Sequence, residues 1–454
     1  MHVTATMLLE PPPGADLERT AAAVTETLLR RLAQQDAFRS RLVAAPFGIA
    51  HPAWIPVSRF RPEEHARSLT LPAPGTIDQL RDAVGRIASV PLDRSRPLWE
   101  LSTIAGVEGG RVGVVLKVHH AMLDGVAGLE VLGHLFTAGP ETADTEPPGT
   151  VDAEPAEPSA LGIAASALAA AVRVPAHAAH ALAHTARAVV PFARTLIAEA
   201  SALVSPILPF SAPRSRLNHA LTPERTVAFG RVSLDAVKEI KRAYGVTVND
   251  VVLAAVTRAL GDYLRAHDEP PRDAIVASVP VSEHAPDDAG SLSNRVSVMF
   301  VGLPVHLTCT EDILAFIHAQ ARGAKEIYAS LGPAMLADWA ELAPPGPLAA
   351  AAGLYSRWEL AERLPPPHSI VVSNVPGPPC DLWVGNARLA AAYPLGPVLE
   401  GAGINVSVVS YAGSVDVGLI ACPRAVPDPG EIARGFERAI AEMCPQEAPT
   451  ASVG

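Results

Sequence analysis

The chain has 454 residues, enough for two or three domains, and 49% of them are hydrophobic, so a sizeable core is expected. Its formal net charge is -11, and aromatic residues make up only 5%. That balance argues against a nucleic-acid binder, which needs Lys and Arg for phosphates and aromatic rings for unpaired bases.

The first residues, MHVTATMLLE, read as a strand closed by Pro11–Gly14. Glu18 to Gln35 reads as a helix, with Leu17, Ala21, Val24, Leu28 and Leu32 at helical spacing. Residues 76–89 form another, with Leu80, Val84 and Ile87 on one face. Val112 to Val118 is an apolar run that predicts a buried strand, and it ends at His119 and His120. Asp124 and Gly125 follow closely, and Val126 to Phe136 reads as a helix. A strand that delivers histidine into a short glycine-containing loop is a common way to present a general base, because imidazole titrates near working pH.

From Thr137 to about Pro158 the composition is that of a linker. The segment from Ala160 to Phe210 is Ala-rich and apolar, and Pro175 and Pro191 divide it into short helices. Within it Arg173, His177, His180, His184 and Arg187 share a helical stripe. A polar helix face explains the stripe better than a metal site, since no Asp, Glu or Cys joins it. Small apolar residues opposite a mildly basic face also suit a lipid surface.

After Pro213 a mixed texture returns. Strands are expected at Thr226–Ser233, Ala274–Val281, Arg295–Leu303, Ile370–Val372, Ile404–Val409 and Ser414–Ile420. Helices are expected at Leu234–Tyr244, ended by Gly245, from Thr247 to Leu264 with Thr247 or Asn249 as N-cap, and at Pro429–Met443. Cys309, Cys380, Cys422 and Cys444 form no CxxC pair, so neither zinc nor a redox dithiol is implied, and reduced thiols in a cytoplasmic protein are expected. No secretory signal and no membrane-spanning run is read.

HHAMLDG fits HHxxxDG, a pattern shared by several acyltransferase groups. PLDRSRPLWE (Pro91 to Glu100) lies just upstream, and the NDVV element falls within Arg216 to Leu264. SVPVS (Ser278 to Ser282), SNRVSVMF (Ser293 to Phe300), SNVPGPP (Ser373 to Pro379) and GINVSVVSYAG (Gly403 to Gly413) follow in order. This series resembles the bacterial wax ester synthase/acyl-CoA:diacylglycerol acyltransferase family over nearly the whole chain, most weakly at residues 138–210.

The resemblance implies an α/β chloramphenicol acetyltransferase-like fold, with two domains of mixed sheets flanked by helices and an active-site channel at their interface. The division expected is an N-terminal domain at 1–137, a Pro/Ala-rich crossover at 138–212 and a C-terminal domain at 213–454. The implied reaction moves an acyl group from acyl-CoA to diacylglycerol or a long-chain alcohol, with no metal and no cofactor beyond the CoA of the substrate. His120 matches the family's base. His119 reads as a loop-shaping neighbour, and Asp124 either holds the loop through an ion pair or partners an imidazole directly. Gly125 would permit the turn. Asn249 and Asp250 either cap a helix or border the tunnel. Asn294 and Asn374 would donate to the developing oxyanion, against a plain turn-forming role. Pro97-Leu98-Trp99 reads as structural packing.

Three departures from the family pattern stand out. A segment usually precedes the first strand, where this chain begins at Met1; Glu283 and His284 stand where an arginine usually follows PVS; and Cys422-Pro423-Arg424 replaces Cys-Asp-Arg. Two alternatives to the leading reading are a condensation-type acyltransferase fed by a carrier protein and a non-catalytic lipid-surface protein with the same fold. A cytoplasmic location is expected, with peripheral contact at the inner membrane face or lipid droplets.

Overall fold

The computed structural model describes residues 1–45, 51–122, 125–141, 178–180, 182, 183, 185, 212–282, 296–331 and 345–445. Their strands are β1 (His2–Glu10), β2 (Ser40–Val43), β3 (Ala53–Pro56), β4 (Ala66–Thr70), β5 (Trp99–Val107), β6 (Arg111–His119) and β7 (Thr226–Ser233). They continue as β8 (Ile275–Ser282), β9 (Val296–Leu303), β10 (Ile370–Pro376), β11 (Trp383–Val384), β12 (Ala387–Leu395), β13 (Ile404–Tyr411) and β14 (Ser414–Ala421). The helices are α1 (Leu17–Leu32), α2 (Asp36–Arg39), α3 (Ile77–Ser89), α4 (Gly125–Leu135), α5 (Leu234–Tyr244), α6 (Val248–Ala266), α7 (Thr310–Leu331), α8 (Pro345–Arg357) and α9 (Gly430–Met443).

Two six-stranded mixed sheets carry the architecture. The first runs β11-β12-β1-β6-β5-β4, antiparallel except between β4 and β5. The second runs β7-β14-β13-β10-β8-β9, with β10 parallel to both β8 and β13. Sheet membership does not follow the expected division at residue 213. β11 and β12 lie in the C-terminal part of the chain, yet β12 pairs with β1 in the first sheet, Thr4 opposite Leu395 and Thr6 opposite Tyr393.

Local chemistry sets the elements. Asp16 caps α1 by accepting from the N–H groups of Glu18 and Arg19, and the face Ala21, Val24, Leu28, Leu32 is buried against β5. Thr76 and Gln79 form a reciprocal capping box at α3. α5 ends at Gly245, whose φ of 67° is the left-handed conformation that glycine adopts without strain. β6 is buried from Val112 to Val118 on both faces, which explains its unbroken apolar run.

Trp99 starts β5 and is wholly buried. Its indole N–H donates to Phe38 O at 2.8 Å, and the ring stacks on His65 at 4.4 Å between centroids. The expected structural role of Pro97-Leu98-Trp99 is what the geometry gives: a large ring with its one donor satisfied. A further buried cluster joins the halves, packing Leu8, Leu80, Val84 and Val115 against Val227, Phe229, Tyr393 and Ile420.

The expected linker and Ala-rich stretch lie outside the described residues, apart from 137–141, a few helical positions between 178 and 185, and residue 212. No helix among the described residues is long and apolar enough to cross a membrane.

Candidate active site

The β1–β6 register sets the position of the histidine pair. His2 pairs with His119 at the end of the ladder, and the His120 N–H extends it by donating to Met1 O at 3.2 Å. The chain then turns: Met122 N donates to His119 O at 2.9 Å, and Ala121 N donates to His119 Nδ1 at 3.2 Å. Gly125 is the first described residue of α4, and the two residues before it lie outside the described residues. Asp124 lies outside the described residues.

The two histidines differ in task. His119 is committed as an acceptor within the turn. Burial, then the positive charges of the chain terminus and of Arg94 and the neighbouring His120 imidazole, pushes its pKa down to about 4, so its ring is neutral at pH 7. His2 beside it is pushed down to about 3 for similar reasons. His120 instead borders a cavity of about 410 Å³ between the two sheets.

The first sheet gives this cavity an apolar wall of Val3, Ala5, Met7, Leu116 and Val118. α4 adds Gly128, Val131 and Leu132, which share one helix face at i, i+3 and i+4. β12 contributes Ala392, Tyr393 and Pro394. The second sheet brings Ser278, Ser373, Asn405 and Ser407, with Val371, Val375 and Val409 between and beyond them.

The other expected site residues sit elsewhere. Val371, Ser373 and Val375 face the cavity, so strand alternation turns Asn374 to the opposite face, and it does not line the cavity. Asn294 lies outside the described residues, as do Glu283 and His284. Asp250 is a capping residue: its carboxylate accepts from Thr247 N at 2.9 Å, and Thr247 Oγ1 accepts from Asp250 N at 3.2 Å. Its Oδ2 also meets His318 Nδ1 at 2.8 Å. Asn249, half-buried in the first turn of α6, does not line the cavity, and the N-cap is Thr247. Arg424, next to Cys422-Pro423, reaches Glu362 at 3.5 Å. The polar groups on the cavity face fall within the SVPVS, SNVPGPP and GINVSVVSYAG segments, where they do not stand out from their neighbours. Their signal is the i, i+2 spacing of Asn405 and Ser407 within an apolar strand.

β12 is held to the second sheet by a buried carboxylate. Asp416 Oδ2 accepts from Ala392 N at 2.8 Å; Oδ1 lies 3.0 Å from Arg231 Nε but off axis for a hydrogen bond. Burial, only partly offset by that N–H and by Arg231, pushes its pKa up to about 6 from an ordinary 3.8. Between those two values the folded state holds a proton that the unfolded chain releases, so stability falls as pH rises through this window. We expect the stability difference between wild type and Asp416→Asn to change by about 1.4 kcal/mol between about pH 5 and pH 7.5, the wild type losing ground. Denaturant unfolding at both values measures it, and a pH-independent difference would remove this residue as the cause.

Comparison with known proteins supplies the family. Residues 1–252 fit the wax ester synthase/diacylglycerol acyltransferase catalytic domain, and residues 292–444 fit the WS/DGAT C-terminal domain. A Mycobacterium tuberculosis protein named as a candidate diacylglycerol O-acyltransferase is 34% identical over 419 residues, covering 91% of this chain and 81% of that protein. Another from the same organism is 32% identical over 433 residues, covering 94% and 91%. The structure of a wax ester synthase/diacylglycerol acyltransferase from Marinobacter aquaeolei VT8 superposes with a TM-score of 0.66 at 26% identity, covering 98% of this chain and 94% of that one. A condensation domain of the calcium-dependent antibiotic synthetase shares the fold, with a TM-score of 0.54 at 15% identity. Two matching domains and full-length relatives place the chain in the wax ester synthase/diacylglycerol acyltransferase family.

Proposed function

We propose that the chain is an O-acyltransferase that moves a long-chain acyl group from acyl-CoA to the hydroxyl of diacylglycerol, of a long-chain alcohol, or of both, with His120 as general base. The observation that carries this reading is the placement of His120 on a largely apolar cavity between the two sheets. Such a wall suits hydrocarbon chains, each buried CH₂ contributing about 0.8 kcal/mol.

An alcohol is a weak nucleophile at neutral pH. In the proposed step His120 takes the hydroxyl proton as the oxygen attacks the thioester carbonyl. The new C–O bond forms, the C–S bond breaks, and the imidazolium returns its proton to the departing thiolate. No covalent acyl-enzyme is required, and the only cofactor moiety in this scheme is the CoA of the donor. Asp124 enters as a loop-holding or imidazole-orienting partner, and Asn294 as an oxyanion donor.

Contact with the inner membrane face or a lipid droplet belongs to the same reading, because the acceptors partition into lipid. The exposed Leu348, Leu354 and Trp358, along and just after α8, support it.

The test offers radiolabelled palmitoyl-CoA with diacylglycerol and with hexadecanol in separate reactions. Labelled triacylglycerol or wax ester is expected. A folded protein that forms neither, yet accepts acyl groups from a carrier-protein thioester, would favour the condensation-type alternative.

A further inference from the structure

The two walls of the cavity are chemically unequal. Register places Ser278 beside Val371 and Val371 beside Asn405, with Ser373 beside Ser407 one step further along. Four polar side chains from three neighbouring strands therefore face the apolar wall of the first sheet.

Two of the four are already engaged. Ser407 Oγ donates to Asn405 Oδ1 at 2.7 Å, and Asn405 Nδ2 donates to Pro397 O at 3.0 Å, which holds the chain after β12. Ser278 and Ser373 have no such partner among the described residues, and Ser278 is only 5% exposed. A hydroxyl covered by hydrocarbon without an acceptor is disfavoured.

The ladder and His120 line the same cavity. The Asn405 amide packs against Gly396, where an added Cβ would lie 2.5 Å from it. Gly396 follows Leu395, which pairs with Thr4, and the neighbouring Val3 pairs with Val118, two residues before His120. An acceptor whose reacting hydroxyl meets His120 and whose body fills this cavity lies against the wall that carries these serines. A plain alkanol brings only methylenes there. An acylglycerol brings ester carbonyls within a few bonds of its free hydroxyl.

We propose that Ser278 and Ser373 donate hydrogen bonds to the ester carbonyls of an acylglycerol acceptor, and so favour acylglycerol hydroxyls over simple long-chain alcohols. The inference rests on the acyl-transfer reading and adds to it the residues that choose the acceptor. Rejection of an analogue that lacks the matching polar group follows from the unpaired donors it leaves behind.

The experiment measures kcat/KM for dioleoylglycerol and for hexadecanol, with palmitoyl-CoA as donor, in the wild type, Ser278→Ala, Ser373→Ala and the double variant. Each single substitution should lower the diacylglycerol value roughly three- to tenfold, the double more, while the hexadecanol value is held or raised, because the donor it would leave unpaired is gone, and the KM for palmitoyl-CoA stays constant. A hexadecanol rate that does not fall also shows that the variants are folded. Should the wild type not use hexadecanol, a raised KM for dioleoylglycerol at constant palmitoyl-CoA KM supports the proposal. Equal loss with both acceptors, or a raised palmitoyl-CoA KM, would put the serines on the donor and overturn it. Unchanged diacylglycerol kinetics, or a wild type that esterifies only hexadecanol, would overturn it as well. A wild type that forms no ester at all marks failure of the acyl-transfer reading itself.

Discussion

His120→Ala is expected to lower ester formation from palmitoyl-CoA by roughly 10²–10⁴-fold, in a protein that remains folded. The side chain is half-buried at a cavity wall, and its ladder contact is made by the backbone N–H to Met1 O, so alanine keeps the strand end intact. Because the imidazole acts on a proton in flight, kcat and kcat/KM should fall together, with KM nearly constant. His119→Asn provides the contrast. Asparagine retains an acceptor for Ala121 N, and the native His119 ring, neutral at pH 7 and held in the turn, has no proposed part in the transfer. Its loss should be less than about tenfold. Single-turnover assays of the two variants decide the matter: a His120→Ala enzyme within tenfold of wild type, or a His119→Asn enzyme as impaired as it, would reject the assignment of the base.

Much of the scaffold was legible because local and tertiary preferences agree. The α1 stripe, the capping box at α3, the Gly245 stop and the apolar β6 run each contain their own signal. β12 did not. ARLAAAYPL is rich in alanine, lacks β-branched residues and shows no alternation, so nothing local marks it as a strand. It is one because β1 supplies a ladder on one side, and Asp416 binds its backbone from the other sheet.

The site was legible in part for the same reason. HHxxxDG locates His120 through a strand and its loop. Position on a strand alone did not decide which face a residue shows. Asn374 stands out in SNVPGPP, but its parity in β10 turns it away, whereas the inconspicuous Ser373 faces the cavity. Asp250 was ambiguous between cap and tunnel because the two roles are compatible in sequence. The Thr247 contacts make it a cap.

Gly418→Ala should destabilise the fold by about 1–3 kcal/mol or more, the cost of forcing a side chain into a filled space. Gly418 lies in β14, where an added Cβ would fall 1.9 Å from Pro394 O and 3.0 Å from Leu395 Cδ2. The obstacle is backbone, so no rotamer change relieves it. Its neighbours make the same junction: Asp416 holds Ala392 N, and Phe229, opposite Gly418, stacks on Tyr393 at 4.5 Å. A methyl group there must push β12 away from β14, and Ala392, Tyr393 and Pro394 all line the cavity. Acyl transfer should therefore fall along with stability, through displaced wall residues and not through His120. Gly353→Ala is the control. It lies in α8 with nothing within 4 Å of the added carbon, and alanine there should stabilise by about 0.5–1 kcal/mol through helix propensity. The same substitution at two glycines should thus shift the denaturant midpoint in opposite directions. A Gly418→Ala protein as stable as the wild type would mean that the two sheets do not meet along β12 and β14 as closely as 1.9 Å from that Cβ to Pro394 O requires.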